Sequence, residues 1–113
     1  METTNGKLRN ITSGILHTDI GDVYVFLEEY LGSKGIMTHQ LPSACRALIP
    51  ILKKKLSSEW FTNKWIKDEE WLGESVEVPD LTKGEIVIFW NKYSIYAKEI
   101  WDSIKDKTIV IEL

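Results

Sequence analysis

Nine apolar residues between Ile86 and Ile104 fall at helical spacing: Ile86, Phe89, Trp90, Tyr93, Tyr96, Ala97, Ile100, Trp101 and Ile104. Steps of three and four keep side chains on one side of a helix. Just upstream, Thr82 and Glu85 stand three residues apart, the spacing of a capping box in which each side chain satisfies the other residue's backbone N–H. The pattern predicts a helix from about Lys83 to Lys105. Taken alone, Ile86 to Trp90 is a β-branched and aromatic run that also suits a strand. The sustained spacing and the matching cap favour the helix.

The remainder reads as shorter elements. Asn10 to His17, with β-branched residues around Gly14, predicts a strand with a bulge or a close backbone approach at the glycine. Thr18 or Asp19 then caps a helix that buries Ile20, Val23, Leu27 and Leu31, with Tyr24 and Tyr30 beside them and Gly32 as its stop. A second helix is expected from His39 to Leu56, capped by Thr38. Its stripe is Leu41, Cys45, Leu48, Leu52 and Leu56, flanked by Ala44 and Ile49, and Pro50 should kink or split it. Ser57 or Ser58 opens a short helix through Trp60, Phe61, Trp65 and Ile66. Val76 to Val78 alternates like a short strand that stops at Pro79. Thr108 to Leu113 reads as a closing strand. The expected fold class is α+β: one domain with a small antiparallel or mixed sheet of about three strands, covered by about four helices.

Composition bounds the function. The 113 residues are 43% hydrophobic and 27% charged, which suits one globular domain. A single cysteine, Cys45, fits a reducing compartment. No apolar run reaches the roughly 18–20 residues that span a bilayer, and the opening residues are polar, so neither a leader peptide nor a membrane partner is expected. Met1 to Ile66 holds 8 basic and 6 acidic residues, while Lys67 to Leu113 holds 6 basic and 11 acidic. The sharpest block, Lys67 to Asp80, sets six carboxylates against one lysine. The one basic run, Lys53 to Lys55, suits the negative end of a helix dipole, so direct nucleic-acid binding is not expected. The acidic block has two readings: a solvated loop, or a negative surface that enters a partner's basic groove.

Phosphate-binding glycine loops are absent, and no set of His, Cys, Asp and Glu has metal-ligand spacing, so neither cofactor nor metal is expected. His39, at a helix start, suits a neutral general base that Asp22, Glu28 or Glu29 is placed to orient. It equally suits a turn fastened by ring-to-backbone bonds. Cys45 falls on the apolar stripe and reads as a small buried residue. All five tryptophans lie in the second half. Trp90 and Trp101 are expected in the core, whereas Trp60, Trp65 and Trp71 have weaker periodic support and suit an interface.

The segments ITSGIL, IGDVYVFLEEYLG and MTHQLPSACRALIPIL resemble a family of small uncharacterised phage and prophage proteins. The matching positions are Thr12, Gly14, Leu16, Gly21, Val23, Tyr24, Gly32, Thr38, His39, Gln40, Leu41, Pro42 and Ala44. Trp71-Leu72 and Val78-Pro79 echo the family's later residues, so the resemblance covers about the first 80 residues. Thr-His-Gln-Leu-Pro is its most specific part. Ser43 replaces a usual arginine, and Leu81 to Leu113 has no counterpart and reads as an added C-terminal extension.

The resemblance implies a phage accessory protein in the host cytoplasm, by analogy with inhibitors of bacterial immunity such as anti-CRISPR proteins. Three functions follow as expectations. The first is a non-enzymatic inhibitor that binds a host defence protein through Asp68, Glu69, Glu70, Trp71, Glu74 and Glu77. The second is a nucleotide-binding or nucleotide-cleaving pocket formed by Tyr24, Thr38, His39, Gln40 and Arg46. The third is a structural or regulatory protein that forms a homodimer through its long C-terminal helix.

Overall fold

The computed structural model describes residues 1–62 and 69–111. Strand β1, Glu2–Thr4, runs directly into helix α1, Asn5–Ser13. The Thr4 hydroxyl accepts from the Lys7 N–H at 3.3 Å, and Gly14 ends the helix in the left-handed region, at φ 70°. This helix overturns the strand expected over Asn10 to His17. Leu8 and Ile11, three residues apart, are both wholly buried, which only a helical turn allows here. Asn10 then fastens the loop that follows. Its Oδ1 accepts from the N–H groups of His17 and Thr18, and its Nδ2 donates to the Thr18 hydroxyl. Gly14 is therefore a helix stop and not a strand bulge.

Helix α2, Ile20–Leu31, starts after Asp19 and ends at Gly32, as the sequence implies. Its buried face is Val23, Phe26, Leu27, Tyr30 and Leu31, while Ile20 is 46% exposed. The face is thus turned toward Phe26 and away from Ile20. A 3-10 turn, Thr38–Gln40, precedes helix α3, Leu41–Lys55. Gln40 takes the cap position expected of Thr38. Leu41, Ala44, Leu48 and Leu52 are buried as expected, joined by Ser43, Ala47 and Ile51, while Cys45 and Leu56 are half-buried. Pro50 sits on the exposed side and does not split α3.

Helix α4, Ser58–Thr62, is capped by Ser57, whose Oγ accepts from the Trp60 N–H at 3.2 Å. Trp65 and Ile66 lie outside the described residues. Helix α5, Glu69–Gly73, leads into strand β2, Ser75–Glu77. β2 pairs antiparallel with β1 in the register Glu2 to Glu77, Thr3 to Val76 and Thr4 to Ser75. Helix α6, Lys83–Ile111, carries the capping box that its sequence announces. The Thr82 N–H donates to Glu85 Oε1 at 2.9 Å, and the Glu85 N–H donates to Thr82 Oγ1 at 3.2 Å.

The protein is a single, mostly helical domain. Among the described residues it has six α-helices and one two-stranded antiparallel sheet, in place of about four helices and three strands. The closing strand expected from Thr108 is, through Ile111, the end of α6. A strand requires a neighbouring edge for its backbone groups, whereas a helix satisfies them internally.

The core joins Leu8 and Ile11 of α1 to Phe26 and Leu27 of α2, Leu48 and Leu52 of α3, Val78, and Phe89 of α6. Helices α3 and α6 run antiparallel. Lys55 Nζ meets Glu85 Oε1 at 2.7 Å near one end, and Arg46 meets Glu99 at 3.4 Å near the other. Trp101 is 56% exposed, against the expectation that it is core. The inner stripe of α6 runs through Phe89, Tyr93, Tyr96 and Ile100, and Trp101 lies one position round the helix from it. Among the described residues, no helix is long and apolar enough to cross a membrane.

Candidate functional site

Two regions gather the residues singled out by the sequence. The first is the acidic edge formed by α5 and β2. It is positioned by Asn5, a side chain only 5% exposed. The Asn5 N–H donates to the Glu74 carbonyl and Asn5 Nδ2 to the Trp71 carbonyl, both at 2.9 Å, while Asn5 Oδ1 accepts from Trp60 Nε1 at 2.8 Å. One residue therefore holds α1, α4 and the α5–β2 turn together. Beside it, Arg9 is buried with its guanidinium 5.3 Å from the Trp60 ring and 5.8 Å from the Trp71 ring. Burial lowers the Arg9 pKa from its ordinary value.

Trp71 is consequently half-buried, tilted against Trp60 with ring centroids 6.0 Å apart, and serves as a brace more than as a free contact. Glu69, Glu70 and Glu74 are exposed. Glu77 is exposed and accepts from the Met1 ammonium at 2.8 Å, with Asp80 accepting from the same ammonium at 3.2 Å. Asp68 lies outside the described residues. Glu2, which the sequence did not single out, lies directly opposite Glu77 in the sheet. Facing like charges destabilise a strand pair. The Met1 ammonium offsets that repulsion at Glu77.

The second region is the expected pocket around His39. The Tyr24 and Thr38 hydroxyls are hydrogen-bonded to each other, which joins α2 to the 3-10 turn. Gln40 is buried, donates to the Ala97 carbonyl at 3.3 Å and accepts from the Ser43 hydroxyl at 3.1 Å. His39 is exposed. Arg46 stacks over Tyr96, 3.8 Å from the ring centroid. An apolar groove of about 380 Å³ does exist nearby, between the end of α1, the start of α2 and α3. Ile11, Leu16, Val23, Leu41, Cys45 and Arg46 are among its walls. Tyr24, Thr38, His39 and Gln40 are not, so the five expected pocket residues do not share this cavity. Burial pushes the Cys45 thiol up to about 11, which leaves it protonated and weakly reactive at neutral pH.

One pairing escaped the sequence reading. Ser13 Oγ stands 3.3 Å from His17 Nε2. Burial, together with the nearby positive charge of Arg9, lowers the His17 pKa. A serine beside a neutral imidazole suggests nucleophile chemistry, but the Ser13 hydroxyl donates to the Arg9 carbonyl at 2.7 Å. It also sits at the negative C-terminal end of α1, where a developing alkoxide is disfavoured. The pair fastens a helix terminus. Among the described residues, no three His, Cys, Asp or Glu side chains cluster as a metal site.

The site thus belongs to a small helical domain whose acidic edge is braced from its N-terminal helix. Residues 5–57, just under half of the chain, match the family model of a domain of unknown function, DUF7736. The matched span covers α1 to α3 and stops before the acidic block and α6. No curated protein and no solved structure matches the chain.

Proposed function

We propose that this protein is a non-enzymatic binding factor whose acidic edge occupies a basic surface of another protein. The carrying observation is the convergence of carboxylates from separate parts of the chain. Glu2 lies in register with Glu77, while Glu74, Glu70 and Glu69 precede it on the braced α5–β2 segment. The Met1 ammonium, 2.8 Å from Glu77 Oε1, lets the two glutamates stand face to face in the sheet, so the edge keeps both carboxylates. A rigid negative edge steers a basic partner into encounter and sets its orientation.

The resemblance to phage proteins supports a host defence protein as the partner and the host cytoplasm as the place of action. A nucleotide pocket around His39 has less support, because Gln40 is committed to Ala97 and Ser43 and the adjoining groove is mostly apolar.

The test is co-purification from infected host cells, followed by binding measurements on the captured protein. The triple variant Glu69→Lys, Glu70→Lys, Glu74→Lys should keep its circular dichroism and bind at least about tenfold more weakly, with a shallower salt dependence. Unchanged affinity in the triple variant would overturn the acidic-edge reading.

A further inference from the structure

Strand β2 is paired along one side and open along the other. In an antiparallel pair, residues that exchange two backbone hydrogen bonds alternate with residues whose N–H and C=O point away from the partner. Met1 and Val78 exchange both bonds, each at 2.8 Å, and the Asn5 N–H donates to the Glu74 carbonyl. The pairs Met1 with Val78, Thr3 with Val76 and Asn5 with Glu74 are therefore the bonded ones. The N–H and C=O groups of Ser75 and Glu77 then point outward along the free edge of β2. Among the described residues, none bonds to these four groups and no third strand joins the sheet. Ser75 and Glu77 are both exposed.

The two faces of the ribbon differ. Val76 packs against the core, while Glu2, Thr4, Ser75 and Glu77 alternate onto the opposite face. A strand added beside Ser75 and Glu77 would set every second side chain on that opposite face, next to Glu77. The Glu77 side chain is 71% exposed, with Glu2 directly across from it. Around this edge Glu2, Glu74, Glu77 and Asp80 outweigh the one positive charge, the Met1 ammonium.

We infer that the outer edge of β2 takes up an extended segment of another protein as a third strand, with lysine or arginine at every second residue. The inference rests on the acidic-edge reading above and gives that edge's partner a conformation. Backbone donors and acceptors laid out at strand spacing select an extended chain. The carboxylates select its charge, because opposite charges on neighbouring strands attract and like charges repel. A second copy of this chain is a poor occupant for the same reason, since its own β2 would bring further carboxylates to the edge. Four backbone groups make a weak site for a free peptide, in the range of about 1 mM.

Amide NMR with synthetic peptides tests the inference. The probe is acetyl-Lys-Val-Lys-Val-Lys-amide, titrated to about 5 mM at low salt. It should shift the Ser75 and Glu77 amide signals and slow their hydrogen exchange, while the Val76 amide is protected already in the free protein. The same peptide with its lysine backbone nitrogens methylated keeps its charge and loses its donors. It should bind at least about tenfold more weakly. On the protein side, Ser75→Pro removes one outward N–H, keeps every carboxylate and leaves the bonds to β1 in place. It should weaken the lysine peptide about fivefold, whereas Ser75→Ala should bind it as wild type does.

A methylated peptide that binds as tightly as its parent would overturn strand addition and leave the acidic-edge reading standing. An acetyl-Thr-Val-Thr-Val-Thr-amide peptide that binds as tightly as the lysine one would overturn the basic occupant. Unmoved Ser75 and Glu77 amides throughout the lysine titration would overturn the inference as a whole.

Discussion

Helices α3 and α6 lie side by side and share one core, yet they distribute their side chains differently. α3 buries Leu41, Ala44, Leu48, Ile51 and Leu52 and turns Arg46, Pro50, Lys53 and Lys54 outward. α6 buries Phe89 on one side and leaves Val87, Ile88, Ile95 and Trp101 uncovered on the other. The first helix turns charge and proline to solvent and leaves Leu41, Cys45 and Ile49 along an apolar groove. The second keeps Val87, Ile88, Ile95 and Trp101 on its solvent side, with the exposed Asn91, Lys98 and Asp102 between them. The same spacing of three and four therefore has two meanings, and only burial separates them.

The largest test of this contrast is a pair of truncations on α6. Phe89 is wholly buried, with Tyr93 stacked 5.8 Å away and Trp90 edge-on at 4.9 Å. Phe89→Ala should cost about 3–5 kcal/mol in urea unfolding. Trp101→Ala should stay within about 0.5 kcal/mol of wild type. Equal losses would erase the distinction between the two sides of α6.

A smaller effect is expected on α3. Pro50 is exposed and leaves one helical N–H bond unmade. Pro50→Ala should raise stability by about 1–2 kcal/mol, the helix gain being partly offset by a looser unfolded chain. A loss instead would show that α3 is shaped around its proline.

The smallest effect concerns the contact between the two helices. The hydrogen bond from Lys55, helped by the Thr82 N–H, holds the Glu85 carboxyl below its ordinary pKa. The unfolded chain then binds its proton at a higher pH than the folded one. The stabilisation is complete above the unfolded pKa and is lost as pH falls through the folded value. Glu85→Gln should flatten that acid limb in thermal melts recorded between about pH 5 and pH 2. An unchanged acid limb in the variant would show that the ion pair does not couple α3 to α6.

The legible parts of the fold were those written in local chemistry. Thr82 and Glu85, Gly32, and Pro79 after its short strand all act where their residue types suggest. What escaped was set by distant partners. β1 has no apolar alternation of its own and exists because Ser75–Glu77 lies opposite it. α1 hides behind β-branched residues, since its burial comes from α2, α3 and α5. Trp101 reads as core by spacing alone, and its exposure depends on where α3 ends.

The candidate site divides in the same way. The carboxylates of 69–77 were visible as a block, but their continuation through Glu2 is a matter of strand register. Trp71 looked like a contact until Arg9 and Trp60 placed it. Of the five residues gathered around His39, which come from α2, the 3-10 turn and α3, Arg46 alone lines the groove between α1, α2 and α3.

Asn5 gives the acidic edge a mechanical property. Its bonds to Trp60 and Trp71 span 55 and 66 positions of sequence, and both leave from one short amide. Lifting α5 and the turn after it away from α1 breaks both the bond to the Trp71 carbonyl and the backbone bond to Glu74. The acidic edge is thereby tied, through one side chain and its own backbone N–H, to the first turn of α1.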